Sequence, residues 1–303
     1  LVTPEVNPDH LALLEAQRER LGGTHGRSSG TGGPDGRDPS RPREGGIVTN
    51  PNCVVAGLAL ALAPLEDAFG IERAVVTTFQ AISGAGRPGP AAADLTDNVI
   101  PWIAGEEEKI GPECRKLLGT LEPGGRSAGA ESADPRGADP RGKGDAGRPR
   151  RVADADLVVS ATTTRVPVAH GHLVAISLAF REDAGPERVA DALRSFRGGV
   201  AGEGLPLAPE RPIEVLDGAD RPQPRVDRDR GRGMTVTVGR IRPCEVHHVK
   251  AVVLSHNLVR GAASSALLNA ELCRARGVLS GSGGTSEEAP GARATGRAGT
   301  SGG

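Results

Sequence analysis

The chain has 303 residues, enough for one large domain or two ordinary ones, with 37 basic and 38 acidic side chains. A net charge of −1 argues against nucleic acid or an anionic membrane surface as a partner. Glycine (44) and proline (24) exceed a fifth of the chain, Tyr is absent, and Trp and Phe number one and four, so the core must come from Val, Leu, Ile and Ala.

The longest apolar run, Val54 to Leu65, is too short to span a bilayer. Residues 1–20 lack the basic start and apolar stretch of a signal peptide, so a cytoplasmic location is expected. Cys53, Cys114, Cys244 and Cys273 lie far apart with no CxxC spacing, which predicts reduced thiols without a zinc site.

In chain order, "LVTPEV" reads as the end of a strand. Residues 8–21 predict a helix with Asp9 as N-cap and Leu11, Leu13, Leu14 and Leu21 as its apolar positions. Residues 22–46 hold almost no apolar side chain and predict disorder. A strand at Ile47–Thr49 and an Asn50-Pro51-Asn52 turn lead to a helix over 52–63, which Pro64 ends or kinks. "RAVVTTFQ", 73–80, reads as a strand, and 106–118 as a charged helix broken near Pro112. Residues 122–152, with "ADPRG" twice in tandem, again predict disorder. Consecutive strands are expected at 157–168 and 172–180. A helix follows at 184–197, then strands at 212–216, 234–240 and 246–254, a helix at 259–276, and a Gly/Ser-rich tail over 279–303. This pattern predicts an α+β architecture, a mixed or mostly antiparallel sheet with helices packed on it.

Three stretches carry chemistry. Cys53 falls in the first turn of its helix behind a good N-cap, Asn52, where unpaired N–H groups and the helix dipole stabilise a thiolate. An inert buried thiol is the plainer alternative. In "TTTRVPVAHGH", Arg165 can grip a carboxylate and His172 can act as acid and base. Seven residues separate them, so joint action requires a turn or bulge near Gly171. A strand-end histidine in a hairpin is the bland reading of His172. His170 with His172 lacks a third ligand, so no metal is expected. Ser83, Gly84 and Gly86 lie in a small-residue loop after a strand, where a ligand can approach the backbone closely.

Taken together, "NPNC", "FQAISGAGRPG", "NVIPWIAGEEEKI", "RVPVAHGH", "RPQPRVDRDRGRGMTVTVGR" and "HNLVRGAASSALLNAEL" resemble, in order, the archaeal-type branch of the aspartate-semialdehyde dehydrogenase family. The resemblance covers residues 1 to about 276. It implies a catalytic domain of the glyceraldehyde-3-phosphate-dehydrogenase-like type, a sheet with helices on one face. It also implies NADPH-dependent reduction of L-aspartyl-4-phosphate to aspartate semialdehyde with release of phosphate, a step toward lysine, methionine and threonine. Cys53 would attack the acyl phosphate to form a thioester, with hydride from NADP chemistry completing the reduction. By the same resemblance His172 is the acid–base histidine and Gln80 orients the intermediate. Arg165 holds the α-carboxylate, Glu113 the amino group and Lys116 the phosphate. Ser83, Gly84, Gly86 and Asn257 lie beside the cofactor. A homodimer or homotetramer built on the sheet is implied, with no nucleic-acid or membrane partner.

The family's Gly-rich phosphate loop is not found before Cys53; "GTGGPDG" at 30–36 lacks a flanking strand and helix. The expectation is therefore an N-terminally truncated member, short by roughly a hundred residues. Its divisions would be a remnant of the Rossmann NADP domain at 1–50, a catalytic and dimerisation domain at 51–254, and a helix at 255–278 returning to the cofactor domain. A malonyl-CoA-type acyl-CoA reductase, or a non-catalytic remnant associating with a full-length partner, are the rival readings.

Overall fold

The computed structural model describes residues 1–23, 46–123 and 149–279. Its centre is helix α2, Cys53–Phe69, preceded by helix α1, Leu13–Gly23. Small and apolar residues on every side allow most of α2 to be enclosed, and Val54 through Leu65 are all buried. Of the two outcomes expected at Pro64, the helix does not end there but runs on to Phe69. Packing on all sides outweighs the one backbone hydrogen bond that proline removes. Gly70, at φ +63, supplies the turn that a side chain would strain, and its N–H closes on the Glu66 carbonyl at 2.9 Å.

One residue later strand β1, Ile71–Gln80, begins. Helix α2 and β1 thus run back to back, so the start of α2 lies over the end of β1. After β1 come the short helix α3, Ala92–Leu95, and α4, Glu107–Leu117. Strands β2, Thr120–Pro123, and β3, Pro149–Ala153, form a two-stranded antiparallel ribbon. Then follow β4, Val158–Arg165, β5, His172–Phe180, α5, Pro186–Ser195, and β6, Ile213–Leu216. The chain continues with α6, Pro224–Asp227, β7, Val236–Pro243, β8, Val249–Ser255, and α7, Ser264–Ala275.

Six strands form one mixed sheet in the order β4-β1-β5-β8-β7-β6. The outer pairs β1/β4 and β6/β7 are parallel and the inner pairs antiparallel. Alternation places Ala74, Val76, Val174, Ile176, Leu178, Ala251 and Val253 against α2 in the main core. The other face is open: Val75 is 45 % exposed and Val158 64 %. The expected α+β class, with helices on one face of a mixed sheet, is what is observed.

A second apolar cluster joins Val2, Leu11 and Leu14 to Val200, Leu205 and Met234 and to Leu268 and Leu272 of α7. Below it lies a buried ion pair, Arg260 to Glu5 at 2.7 Å, in which both side chains are at most 1 % exposed.

Several local expectations are corrected. "LVTPEV" forms a turn, closed by Val6 N–H and Asn7 N–H on the Thr3 carbonyl, because Asn7 Oδ1 also accepts the Thr3 N–H. Asn7, not Asp9, stands at the N-cap position of the 3-10 turn that opens α1. Ile47–Thr49 is not a strand; one bond, Val2 N–H to the Thr49 carbonyl, holds it. Pro112 causes no break, since α4 runs through it with its apolar face on the core. The strands at 157–168 and 172–180 are not paired with each other, because β1 lies between them. Helix α1 and the β2–β3 ribbon extend a few residues into the stretches expected to be disordered, while residues 24–45, 124–148 and 280–303 lie outside the described residues. Finally, the closing helix opens with a π-turn, Val259–Ala263, before α7. Among the described residues no helix is long and apolar enough to cross a membrane.

Candidate active site

Residues from separate elements converge at one end of the sheet. Gln80 ends β1 and pairs in register with Arg165, which ends the parallel β4. His172 opens β5 on the other side of β1. The turn expected between Arg165 and His172 exists: residues 166–171 cross the end of β1, and Gly171 has φ +98. Arg165 and His172 therefore belong to different strands and share a site without any bulge.

Cys53 is the first residue of α2. Asn52 caps that helix, its Oδ1 accepting the Val54 N–H at 2.9 Å. Cys53 Sγ lies 3.3 Å from His172 Nε2. On the far side of the imidazole, the Ala81 N–H donates to Nδ1 at 3.0 Å. His172 is fully buried. Arg165 donates from Nη1 to the Ala81 carbonyl at 2.8 Å and is 5 % exposed.

The small-residue loop is fitted to these groups. A Cβ on Gly84 would lie 2.9 Å from His172 Cε1 and 3.0 Å from Arg165 Nη1, so only glycine lets the loop lie this close. Gly86, at φ +72, faces open space. Ser83 Oγ accepts from Asn257 Nδ2 at 2.9 Å, and Asn257 Oδ1 accepts the Gly171 N–H at 2.9 Å. Asn257 thus ties the loop to the turn that carries His172. Opposite, Gly261 of the π-turn packs on Cys53 itself: a Cβ there would lie 2.8 Å from Cys53 Cβ and 2.9 Å from its carbonyl oxygen.

The two charged residues expected to bind substrate, Glu113 and Lys116, both belong to α4. Glu113 Oε2 is taken by the Asn52 N–H at 2.6 Å, so it braces the turn before Cys53. Lys116 lines a small cavity with Leu1, His10 and Val152. The carboxylate beside the site is Glu106, about two turns earlier at the N-cap position of α4. It accepts from Asn52 Nδ2 at 3.0 Å on both oxygens and from Gln80 Nε2 at 3.4 Å, and Lys109 Nζ lies 3.3 Å away. "GEEEK" held this information in its Glu-x-x-Lys spacing, but "GPECRK" repeats the same spacing seven residues on and obscured it.

The electrostatics differ from expectation too. Burial, with the Glu106 anion next, pushes the Cys53 thiol up to about 11. The helix N–H groups and Arg165 pull it the other way and do not win. Free Cys53 is thus a thiol at neutral pH. Burial, then Arg165 and His256, depress His172 to about 3, leaving it neutral. All four cysteines are free.

Such a constellation, a thiol, an imidazole, a guanidinium and a nearby carboxylate under a close-packed glycine loop, suits covalent chemistry on a small anionic acyl group. The profile of the family described as "Semialdehyde dehydrogenase, dimerisation domain" matches residues 62–136 and 142–260. The chain is 39 % identical to the aspartate-semialdehyde dehydrogenase of Cryptococcus neoformans, over 92 % of this chain and 66 % of that protein. The chain belongs to the aspartate-semialdehyde dehydrogenase family. Against the Archaeoglobus fulgidus aspartate-semialdehyde dehydrogenase the identity is 40 %, over 90 % of this chain and 64 % of the relative. The chain thus spans just under two thirds of the length of these family members. In structure it is similar to the Candida albicans aspartate-semialdehyde dehydrogenase determined with NADP, at a TM-score of 0.69 and 35 % identity, over 92 % of this chain and 67 % of that one.

Proposed function

We propose that this chain carries the thiol half of an NADP-dependent aspartate-semialdehyde dehydrogenase, which reduces L-aspartyl-4-phosphate to the semialdehyde. The observation that carries this reading is the 3.3 Å approach of Cys53 Sγ to His172 Nε2 at the start of a capped helix, inside a family whose members bear that name. Cys53 sulfur attacks the acyl carbon, the carbonyl electrons move onto oxygen, and phosphate departs with the C–O bonding pair. The product of that half is a thioester. NADP chemistry, when the cofactor is bound, supplies the hydride that reduces it. Cofactor fit rests on the close approach of the Gly84 backbone to the imidazole and on Gly86, which at φ +72 faces open space where a ligand can meet the backbone.

Arg165, buried beside the thiol, takes the substrate α-carboxylate through its remaining donors. Glu106 takes the substrate ammonium, Lys109 beside it takes phosphate, and Gln80 orients the acyl group. Glu113 supports Asn52 and so acts through Cys53's helix rather than on substrate. Asn257 and Ser83 fix the loop that would hold the cofactor, whose nicotinamide would supply the hydride. An anion beside the thiol suits an amino-acid substrate better than an acyl-CoA. Residues 1–50 and 255–278 share the second apolar cluster and form the seat of the cofactor-binding half, with 51–254 as the catalytic body. The open sheet face, with Val75, Ser177 and Val158, is where two copies pair in a cytoplasmic homo-oligomer.

The test is the cofactor-free half-reaction. L-Aspartyl-4-phosphate should release phosphate in a burst of about one equivalent with the parent protein and not with Cys53→Ala. Equal release by the two proteins would end this reading.

A further inference from the structure

We propose that Arg260, paired with Glu5, is a positioning residue for the nucleophile: its buried fork sets the π-turn, and through Gly261 the π-turn sets Cys53. The effect on acyl transfer rests on the dehydrogenase reading; the effect on the placement of Cys53 does not.

Among the described residues Arg260 is the largest fully buried side chain, and no step of the proposed reaction uses it. It enters the interior from Val259–Ala263, where the Gly261 N–H reaches back to the His256 carbonyl at 3.1 Å and the Ala263 N–H to that of Leu258 at 2.9 Å. Turns closed five residues back are rare and gather at functional sites. Here the guanidinium holds the turn from inside. Arg260 Nε donates to the Met234 carbonyl at 2.7 Å and Nη2 to Glu5 Oε1 at 2.7 Å, with Nη2 also on the Met234 carbonyl. Each anchor is itself fixed. The Glu5 carbonyl accepts the Gly199 N–H at 2.8 Å, and a Cβ on Gly198 would lie 2.8 Å from Glu5 Cβ. Met234, just before β7, is 1 % exposed.

On its other side the π-turn touches the surroundings of the nucleophile. Gly261 has no room for a side chain against Cys53, and the Ala262 carbonyl accepts from Asn50 Nδ2 at 2.8 Å. Asn50 Oδ1 in turn accepts from Asn269 Nδ2 at 2.8 Å. A shift of the π-turn therefore moves both the sulfur-bearing residue and the Asn-Pro-Asn turn before it.

Stability does not explain the pair. Attraction within a buried ion pair roughly offsets the cost of desolvation, and apolar residues of similar volume often do as well or better. Arg260 Nη1 and Glu5 Oε2 also make no hydrogen bond to any described residue, which weakens the pair's contribution further. Direction is what an apolar pair would lack. A planar fork on two fixed acceptors sets both the reach and the angle of the segment that carries it.

The test is the kinetics of the cofactor-free phosphate burst from L-aspartyl-4-phosphate, with the full chain. Burst amplitude counts competent molecules, and the rate constant at saturating substrate reports how well the sulfur is placed. Arg260→Lys keeps the charge but not the fork; the double variant Arg260→Met with Glu5→Leu removes both charges together. Both should lower the rate constant by about tenfold, as a displacement of a few tenths of an ångström does. Amplitude should stay near that of the parent and half-saturation should not move, because Arg165 and Glu106 are untouched. A parent-like rate constant in Arg260→Lys, or a loss confined to amplitude, overturns the proposal. Should the double variant not fold, the lysine variant decides alone. A second readout needs no substrate: iodoacetamide alkylation of Cys53, mapped at fixed pH, should rise about threefold in Arg260→Lys as access to the sulfur loosens, while Cys244 keeps its parent rate. No burst in the parent, together with this rise in alkylation, sinks only the dehydrogenase reading. A burst in the parent, with both rates unshifted in Arg260→Lys, sinks only this inference.

Discussion

Replacing Gly261 by alanine isolates the contact between the π-turn and the sulfur-bearing residue. No unusual backbone angle protects this glycine, so conformational entropy and helix propensity alone would make alanine stabilising by about 0.5–1 kcal/mol. Space decides otherwise. The added Cβ would meet Cys53 Cβ at 2.8 Å, its carbonyl oxygen at 2.9 Å and its Cα at 3.0 Å. Ordinary carbon contacts lie near 3.5–4.0 Å, so something must move by roughly 0.5 Å or more. Two of the three atoms are main chain at the start of the most buried helix, held by the Asn52 cap, and cannot swing aside as a side-chain end would. Overpacking of this kind costs about 1–3 kcal/mol, which exceeds the propensity gain. Urea unfolding of the parent and Gly261→Ala should show a lower midpoint with an unchanged slope. Turnover should fall further than stability, because displacing the nucleophile by an ångström costs on the order of a hundredfold. A variant as stable as the parent, or more so, would refute the reasoning.

Thiol labelling should run against the usual expectation for a nucleophilic cysteine. Cys244 is half-exposed, and Ser177 with the backbone around His247 lowers its pKa, whereas Cys53 is pushed up to about 11. At neutral pH iodoacetamide should therefore modify Cys244 first; peptide mapping that finds Cys53 modified first contradicts the electrostatics. Stability should fall as the solution is acidified below about pH 6.5. His172 has a folded pKa of about 3, below its unfolded value, so the unfolded chain binds the extra proton across that window. This histidine alone contributes a loss of about 1.4 kcal/mol per pH unit, and His172→Gln should flatten the dependence by that slope in chemical denaturation at several pH values. An unchanged slope would mean that His172 is not held neutral.

Much of this was legible because periodicity and spacing carry it. The β-branched run in β1, the alternation in β5 and β8 and the Ala/Leu stretch of α2 each name their own element. Asn52 announced its cap, and the six blocks announced the family. What the sequence hid depends on the third dimension. Pro64 and Pro112 read as breaks because propensity is local, while burial on all sides of α2 and on one face of α4 is not. Pairing of β4 and β5 with β1 between them cannot be read from neighbours in the chain. Glu106 and Glu113 both sit three residues before a lysine, and only the path of α4 brings one to Gln80 and the other to the Asn52 N–H. The acidity of Cys53 is hidden for the same reason. The helix start is visible in sequence; the burial of the sulfur and the anion that approaches it from α4 are not.

The most direct measurement is the intact mass of the full chain, and of its Cys53 peptide, after brief exposure to L-aspartyl-4-phosphate without cofactor. The account predicts one aspartyl unit on Cys53, removed by hydroxylamine as a thioester is, and none on Cys53→Ala. An adduct on another residue, no adduct on Cys53, or phosphate released by Cys53→Ala as fast as by the parent, would contradict it.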